Sequence, residues 1–162
     1  MPVIDVSKDL QARTLTFSTE FSAPIKHVWQ LWEDPRQLER WWGPPTYPAT
    51  FTEHELVEGG TMKYCMYGPE GDQSRGWWRV IAVDAPHSLE FESGLADETG
   101  APAKDLPAMN MLVTLSEEAG GVTRMVVQST YPTEAIMEKF MTMGMEEGMK
   151  GALSQIDELL LL

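Results

Sequence analysis

Residues 12–21 alternate Leu15, Phe17 and Phe21 against polar neighbours, the period-two pattern of a half-buried strand. Ser22-Ala23-Pro24 stops that strand and opens a helix, with Ser22 or Ala23 near the cap and Pro24 in the first turn. Ile25, Val28, Trp29 and Trp32 then fall at helical spacing. Asp34-Pro35 caps a second short helix that carries Leu38, Trp41 and Trp42. Gly43-Pro44-Pro45 ends it, because proline cannot continue the hydrogen-bond ladder. From Ala49 to Tyr131 the texture changes to short β-like runs, at 49–57, 61–67, 75–84, 87–95, 108–117 and 121–131. Gly59-Gly60, Gly68-Pro69-Glu70-Gly71-Asp72, Ala85-Pro86 and Gly120-Gly121 separate them, and strands joined by such tight turns are antiparallel neighbours. The longer stretch Ser93–Pro107, with Gly94, Gly100, Pro102 and Pro107, reads as a mobile loop.

Pro132-Thr133-Glu134 starts the last element, a predicted helix of about 28 residues. Met145, Met149, Ala152, Ile156 and Leu159 recur along it at steps of four, three, four and three, which makes one apolar stripe. Gly144, Gly148 and Gly151 form an adjacent stripe of small residues. Each costs roughly 1 kcal/mol of helix propensity relative to alanine. That cost is tolerable where the backbone must pass close to something, or where room must be left beside it. The order strand, two short helices, six strands, long helix predicts one α+β domain over residues 1–162. A curved antiparallel sheet wraps around the long C-terminal helix, and the two short helices close one end of the trough. Concave apolar spaces of that kind are where small ligands bind.

Tryptophan sharpens this picture. Four of the six stand between Trp29 and Trp42, more large aromatic area than one corner of a compact core needs, and so predict a cavity wall or a lid. Charge narrows the partners. Twelve basic against twenty-five acidic residues give a formal charge of −13, which opposes binding to nucleic acid or to an anionic membrane. The Leu159–Leu162 run is far too short to span a bilayer. Residues 1–9 lack the basic and apolar regions of a signal peptide. With Cys65 as the single cysteine, these features predict a cytoplasmic chain without an intrachain disulfide.

Candidate chemistry is sparse. His27, His54 and His87 stand in no metal-binding spacing, the serines in no Gly-x-Ser-x-Gly elbow, and the glycine pairs in no phosphate-cradling loop, so no metal or cofactor is expected. Cys65, between Tyr64 and Met66, has no activating base nearby in the sequence and reads as a small buried hydrophobe. The eleven methionines say more. Met62, Tyr64 and Met66 share one strand face, and Met109, Met111, Val113 and Leu115 share another. Methionine fills ordinary cores, and it also suits surfaces that accept varied apolar shapes. Of Trp77 and Trp78 only one can point inward, and Trp78 is in phase with Val80.

The run Ala23-Pro24…Val28…Trp32…Asp34-Pro35…Leu38…Trp41-Trp42-Gly43-Pro44 resembles the opening signature of the START-like, or SRPBCC, superfamily. The branch it resembles is named for homology to the C-terminal domain of the heat-shock protein 90 ATPase activator. Gly59-Gly60, Gly68-Pro69-Glu70-Gly71, Asp97-Glu98-Thr99-Gly100, Gly120-Gly121-Val122-Thr123-Arg124 and Ile156-Asp157-Glu158-Leu159-Leu160 extend the likeness over about residues 12–160. The resemblance implies a helix-grip fold with a deep cavity between sheet and helix. It leaves function open among carriers of small apolar molecules, polyketide cyclases or aromatases, and co-chaperone modules.

The first expectation is a binding protein, monomer or homodimer, that holds a small hydrophobic or aromatic molecule. Its ligand would be lined by Trp42, His54, Tyr64, Met66, Trp78, Met111, Met145 and Met149, with His54 or Arg79 orienting it. A cyclase-type enzyme would instead need an inward titratable group, for which His54 and Glu53 are the candidates. A chaperone-binding module predicts an exposed apolar patch outside the cavity.

Overall fold

The structure is a computed structural model and describes residues 3–161. Eight strands form one antiparallel sheet in the order β1-β2-β8-β7-β6-β5-β4-β3. They are β1 (Val3–Asp9), β2 (Thr14–Phe21), β3 (Ala49–His54), β4 (Thr61–Tyr67), β5 (Gln73–Asp84), β6 (Ser88–Ala96), β7 (Met109–Glu118) and β8 (Val122–Thr130). Helices α1 (Ile25–Glu33) and α2 (Pro35–Trp41) follow β2, and α3 (Glu134–Thr142), α4 (Met145–Leu153) and α5 (Ile156–Leu160) end the chain. This is the helix-grip arrangement: a curved open sheet with its concave face against the C-terminal helices.

The alternation reaches its target. Leu15, Phe17, Thr19 and Phe21 of β2 are buried, and their register across β8 and β7 continues one inner layer through Val127, Met125, Val113 and Leu115. Asp34 caps α2 by accepting a hydrogen bond from the Arg36 amide at 2.9 Å. At the other end of α2, Trp42 and Gly43 turn the chain away. Gly43 sits at φ 113, and a Cβ there would strike the Tyr47 carbonyl, so only glycine fits.

The structure departs from the sequence reading in three places. The first is an extra strand, β1, which pairs with β2 from Val3↔Glu20 to Asp9↔Thr14. An edge strand is held mainly by backbone hydrogen bonds on one side and needs little burial, so its hydrophobic signal is weak. The second is the C-terminal helix, which is not one rod of 28 residues. Gly144 takes a left-handed conformation (φ 90, ψ 22) and divides α3 from α4. A tighter turn at Ser154 and Gln155, where the Gln155 amide bonds the Ala152 carbonyl at 3.1 Å, divides α4 from α5. The third is where the loop starts: the strand expected at 87–95 holds as β6 through the buried Ser93 and Gly94, so the loop does not begin at Ser93. The loop begins only at Asp97, whose carboxylate accepts from the Thr99 and Ala101 amides.

The tryptophans knit the short helices to the sheet. Trp32 is fully buried, with ring centroids 4.7 Å from Trp41 and 6.1 Å from both Trp42 and Trp78. Its indole N–H faces the Met125 sulfur at 3.4 Å. Replacing Trp32 by alanine removes the centre of this cluster, and a lost core tryptophan costs about 3–5 kcal/mol. Urea denaturation followed by far-ultraviolet circular dichroism should show that loss in Trp32→Ala. A change under about 1 kcal/mol would mean that the cluster is not the centre of the fold.

The edge strand is also tied to the helices. Lys8 of β1 pairs with Glu146 of α4 at 3.2 Å, and Lys150 approaches the same carboxylate at 3.4 Å. The hydrogen bond from Lys8 is the main influence that holds the Glu146 carboxyl below its ordinary 4.5, with Lys150 adding to it. A depressed carboxylate stabilises the fold above its ordinary pKa, and the effect is lost as pH falls through the folded-state value. Lys8→Met should move the Glu146 titration midpoint back up toward 4.5 in side-chain NMR, and an unmoved midpoint would show that the β1–α4 pair does not form.

Candidate functional site

Between the sheet and α3–α4 lies a pocket with a volume of ≈ 240 Å³. Its floor comes from β4, β5, β6 and β7 through Tyr64, Met66, Ser74, Ser93, Leu95, Met109 and Met111, which the register places on one concave face. Trp42 and Pro44 close the side next to α2, and Phe140, Met143, Met145 and Met149 form the roof. Six of the lining side chains are methionines. Met143 is exposed, so the break between α3 and α4 stands at the edge of the pocket.

Trp42, Tyr64, Met66, Met111, Met145 and Met149 therefore meet in one place. Two other sequence candidates do not. Trp78 faces inward, but it is fully buried behind Trp42, with centroids 4.8 Å apart, and stacks on Phe91 at 4.0 Å, so it backs the wall instead of lining it. His54 lies outside the lining, its Nε2 3.1 Å from the Trp32 carbonyl oxygen at the end of α1. The groups suggested for orientation or catalysis are elsewhere too. Arg79 is on the outer face, paired with Glu92 at 2.8 Å, and Glu53 is beside Lys63 at 3.8 Å. Among the described residues no group of His, Cys, Asp and Glu is arranged to hold a metal ion, and no helix is long and apolar enough to cross a membrane.

Among the described residues Tyr64 is the only ionisable side chain that lines the pocket. Burial pushes its phenol up to about 12, partly offset by the nearby Trp42 indole N–H. It stays neutral near pH 7, able both to donate and to accept a hydrogen bond. The Trp42 indole N–H approaches it without the alignment of a hydrogen bond and has no other partner; the Trp78 N–H is also unpartnered. Tryptophan donors usually find an acceptor when buried.

Sequence reasoning missed Ser93, Phe140 and Gly148. Ser93 fell within the expected loop, and Phe140 lies on α3, ahead of the stripe that begins at Met145. Gly148 carried a signal: it belongs to the small-residue stripe. The stripe has three separate causes. Gly144 makes the left-handed turn, Gly151 lets α4 approach Pro44 (its Cβ would stand 3.3 Å away), and Gly148 would meet nothing within 4 Å. At Gly148 the missing side chain is pocket space. Gly148→Ala should therefore stabilise the protein by about 0.5–1 kcal/mol through helix propensity. Gly144→Ala should destabilise it by about 1–2 kcal/mol through left-handed strain. Thermal melts of the two variants check the opposite signs, and a destabilised Gly148→Ala would show that the space beside it is already occupied.

Comparison with known proteins accords with this geometry. The family model described as Activator of Hsp90 ATPase homolog 1-like protein matches residues 22–161. A solution NMR structure of a protein from Arthrobacter aurescens is 50% identical, covers 96% of this chain and 90% of its own, and superposes with a TM-score of 0.92. The crystal structure of protein Ms6760 from Mycobacterium smegmatis is 43% identical, with 98% and 97% covered and a TM-score of 0.90. A Staphylococcus epidermidis protein solved by NMR is 28% identical, with 96% and 92% covered and a TM-score of 0.82. None of the curated proteins matches the chain.

Proposed function

The chain belongs to the Activator of Hsp90 ATPase homolog 1-like family, and we propose that it binds a small hydrophobic or aromatic molecule in the pocket between sheet and helices. The observation that carries this reading is the pocket itself, ≈ 240 Å³ walled by six methionines with Trp42, Tyr64 and Phe140. An apolar cavity of about 150 Å³ is enough for benzene. A two-ring molecule is the matching size here. Protein interiors normally pack to crystal-like density. An apolar occupant gains by burying its surface there, at roughly 25 cal/mol per Å².

Binding is favoured over catalysis by the lining. General acid–base work needs a group that titrates near the working pH. Tyr64 does not, and His54 and Glu53 are outside the pocket. A cytoplasmic setting fits the single cysteine and acidic charge.

Tetralin and naphthalene are suitable probes. Either at 100 times its dissociation constant should stabilise the wild type by about 2.7 kcal/mol in a thermal shift. Met145→Trp and Gly148→Leu place bulk in the pocket and should abolish that stabilisation while both variants still melt cooperatively. A wild type that gains nothing, or filled variants that gain as much as the wild type, would remove the pocket from the function.

A further inference from the structure

The pocket is apolar except at one end. Tyr64 of β4 lies across Gly76, its cross-strand neighbour on β5, and a Cβ at Gly76 would collide with the Cζ and Oη atoms of the ring. Glycine there lets the phenol lie over β5, with its hydroxyl above Gly76. Ser74 precedes Gly76 by two residues on the same face, and Ser93 stands on β6 opposite Trp78. Both serines line the pocket. Three adjacent strands thus each contribute a hydroxyl to the lining, while methionine, glycine and leucine make up most of the rest.

Trp42 supplies a direction. Its ring meets Tyr64 edge to face with centroids 5.9 Å apart, and its buried N–H is unpartnered beside the Tyr64 hydroxyl. An indole N–H only donates, whereas a phenol both donates and accepts. When the two align, Tyr64 accepts from Trp42 and its own proton is left to point into the pocket. Each bond in such a chain polarises the next. What the proton then meets must be an acceptor. It must also be uncharged, because no cationic side chain lines the pocket and an unpaired buried carboxylate carries a heavy desolvation cost.

We infer that the pocket selects an uncharged ring-bearing molecule with an exposed oxygen acceptor, of the ketone, ester or ether class, seated on the Tyr64 hydroxyl with its apolar body against the methionines. This rests on the reading of the pocket as a small-molecule site and adds the polarity of the guest.

A matched series tests it: tetralin, 1-tetralone and tetralin-1-carboxylate, titrated into the full chain by calorimetry. The wild type should bind tetralone about tenfold more tightly than tetralin, the factor that one net hydrogen bond supplies, and the carboxylate more weakly than either. Tyr64→Phe keeps the ring over Gly76 and should bring tetralone to within about twofold of tetralin without changing the tetralin affinity. In wild-type NMR spectra the Trp42 indole N–H resonance should move downfield with tetralone and stay in place with tetralin. Equal affinities for tetralin and tetralone, a preference that survives in Tyr64→Phe, or a carboxylate that binds as well as the ketone each overturn the inference and leave an apolar pocket standing. If none of the three binds, the small-molecule reading falls with it. Should Tyr64→Phe fail to fold, the indole resonance decides alone, and a Trp42 signal indifferent to tetralone overturns the proposal.

Discussion

The packing of Trp32 against Trp41, Trp42, Trp78 and Phe91 is the contact on which the rest of the molecule depends. A strongly curved sheet creates a trough that one helix cannot fill, and apolar area left facing water in it would oppose folding. Here α1 and α2 plug one half of the trough with indole rings in edge-to-face and tilted contact. Two of its indoles are anchored by their N–H groups: that of Trp41 donates to the Leu31 carbonyl at 2.9 Å, and that of Trp32 faces the Met125 sulfur at 3.4 Å. The other half of the trough can then stay open at tolerable cost. Without a filled half there would be no rim against which an empty half is defined.

The C-terminal helices complete that rim by bending. Gln155 donates from its side-chain amide to the Gly43 carbonyl at 2.7 Å and to the Trp41 carbonyl at 3.3 Å. Those are carbonyls that the end of α2 leaves without helical partners. A straight rod would carry residue 155 past this point. The turn at Ser154, where the hydroxyl bonds back to Lys150 at 2.6 Å, brings the amide into reach. Trp42, which follows α2 directly, is therefore fixed from both sides: beneath by Trp78 and above by the segment that Gln155 anchors.

Much of this was legible in the sequence, for identifiable reasons. Period-two spacing assigned Tyr64, Met66 and Met111 to the concave face, and period-3.6 spacing assigned Met145 and Met149 to the facing side of the helix, so their convergence follows from arithmetic on residue numbers. Arithmetic gives a face but not a depth. Trp78 and Trp42 both point inward, and only packing in three dimensions decides that Trp42 covers Trp78. His54 is out of phase with the buried Ala49 and Phe51, and a register shift between Phe51 and Glu53 in the β3–β4 pair brings it opposite the buried Met62, where it meets the end of α1 and not the pocket. The helix break at Gly144 was hidden because Met145 and Met149 keep helical spacing within α4 itself. The strand β1 was hidden because its partner supplies backbone hydrogen bonds, for which no side-chain pattern is required.

The glycines show how a sequence specifies an absence. Gly148 and Gly76 are not required by backbone geometry, since neither has a positive φ. What sets them is the space above them: unoccupied at Gly148, and taken by the Tyr64 ring at Gly76. A methyl group at Gly148 would add helix propensity and fill void, which makes the residue unfavourable for stability on both counts. A methyl at Gly76 would collide with the Tyr64 ring and displace it. Packing of the Tyr64 ring accounts for Gly76, whereas stability alone does not account for Gly148. One glycine thus keeps volume in the pocket, and the other seats the Tyr64 ring in its lining. The fold is shared widely and does not by itself assign a task; what these two positions set is the shape of the lining.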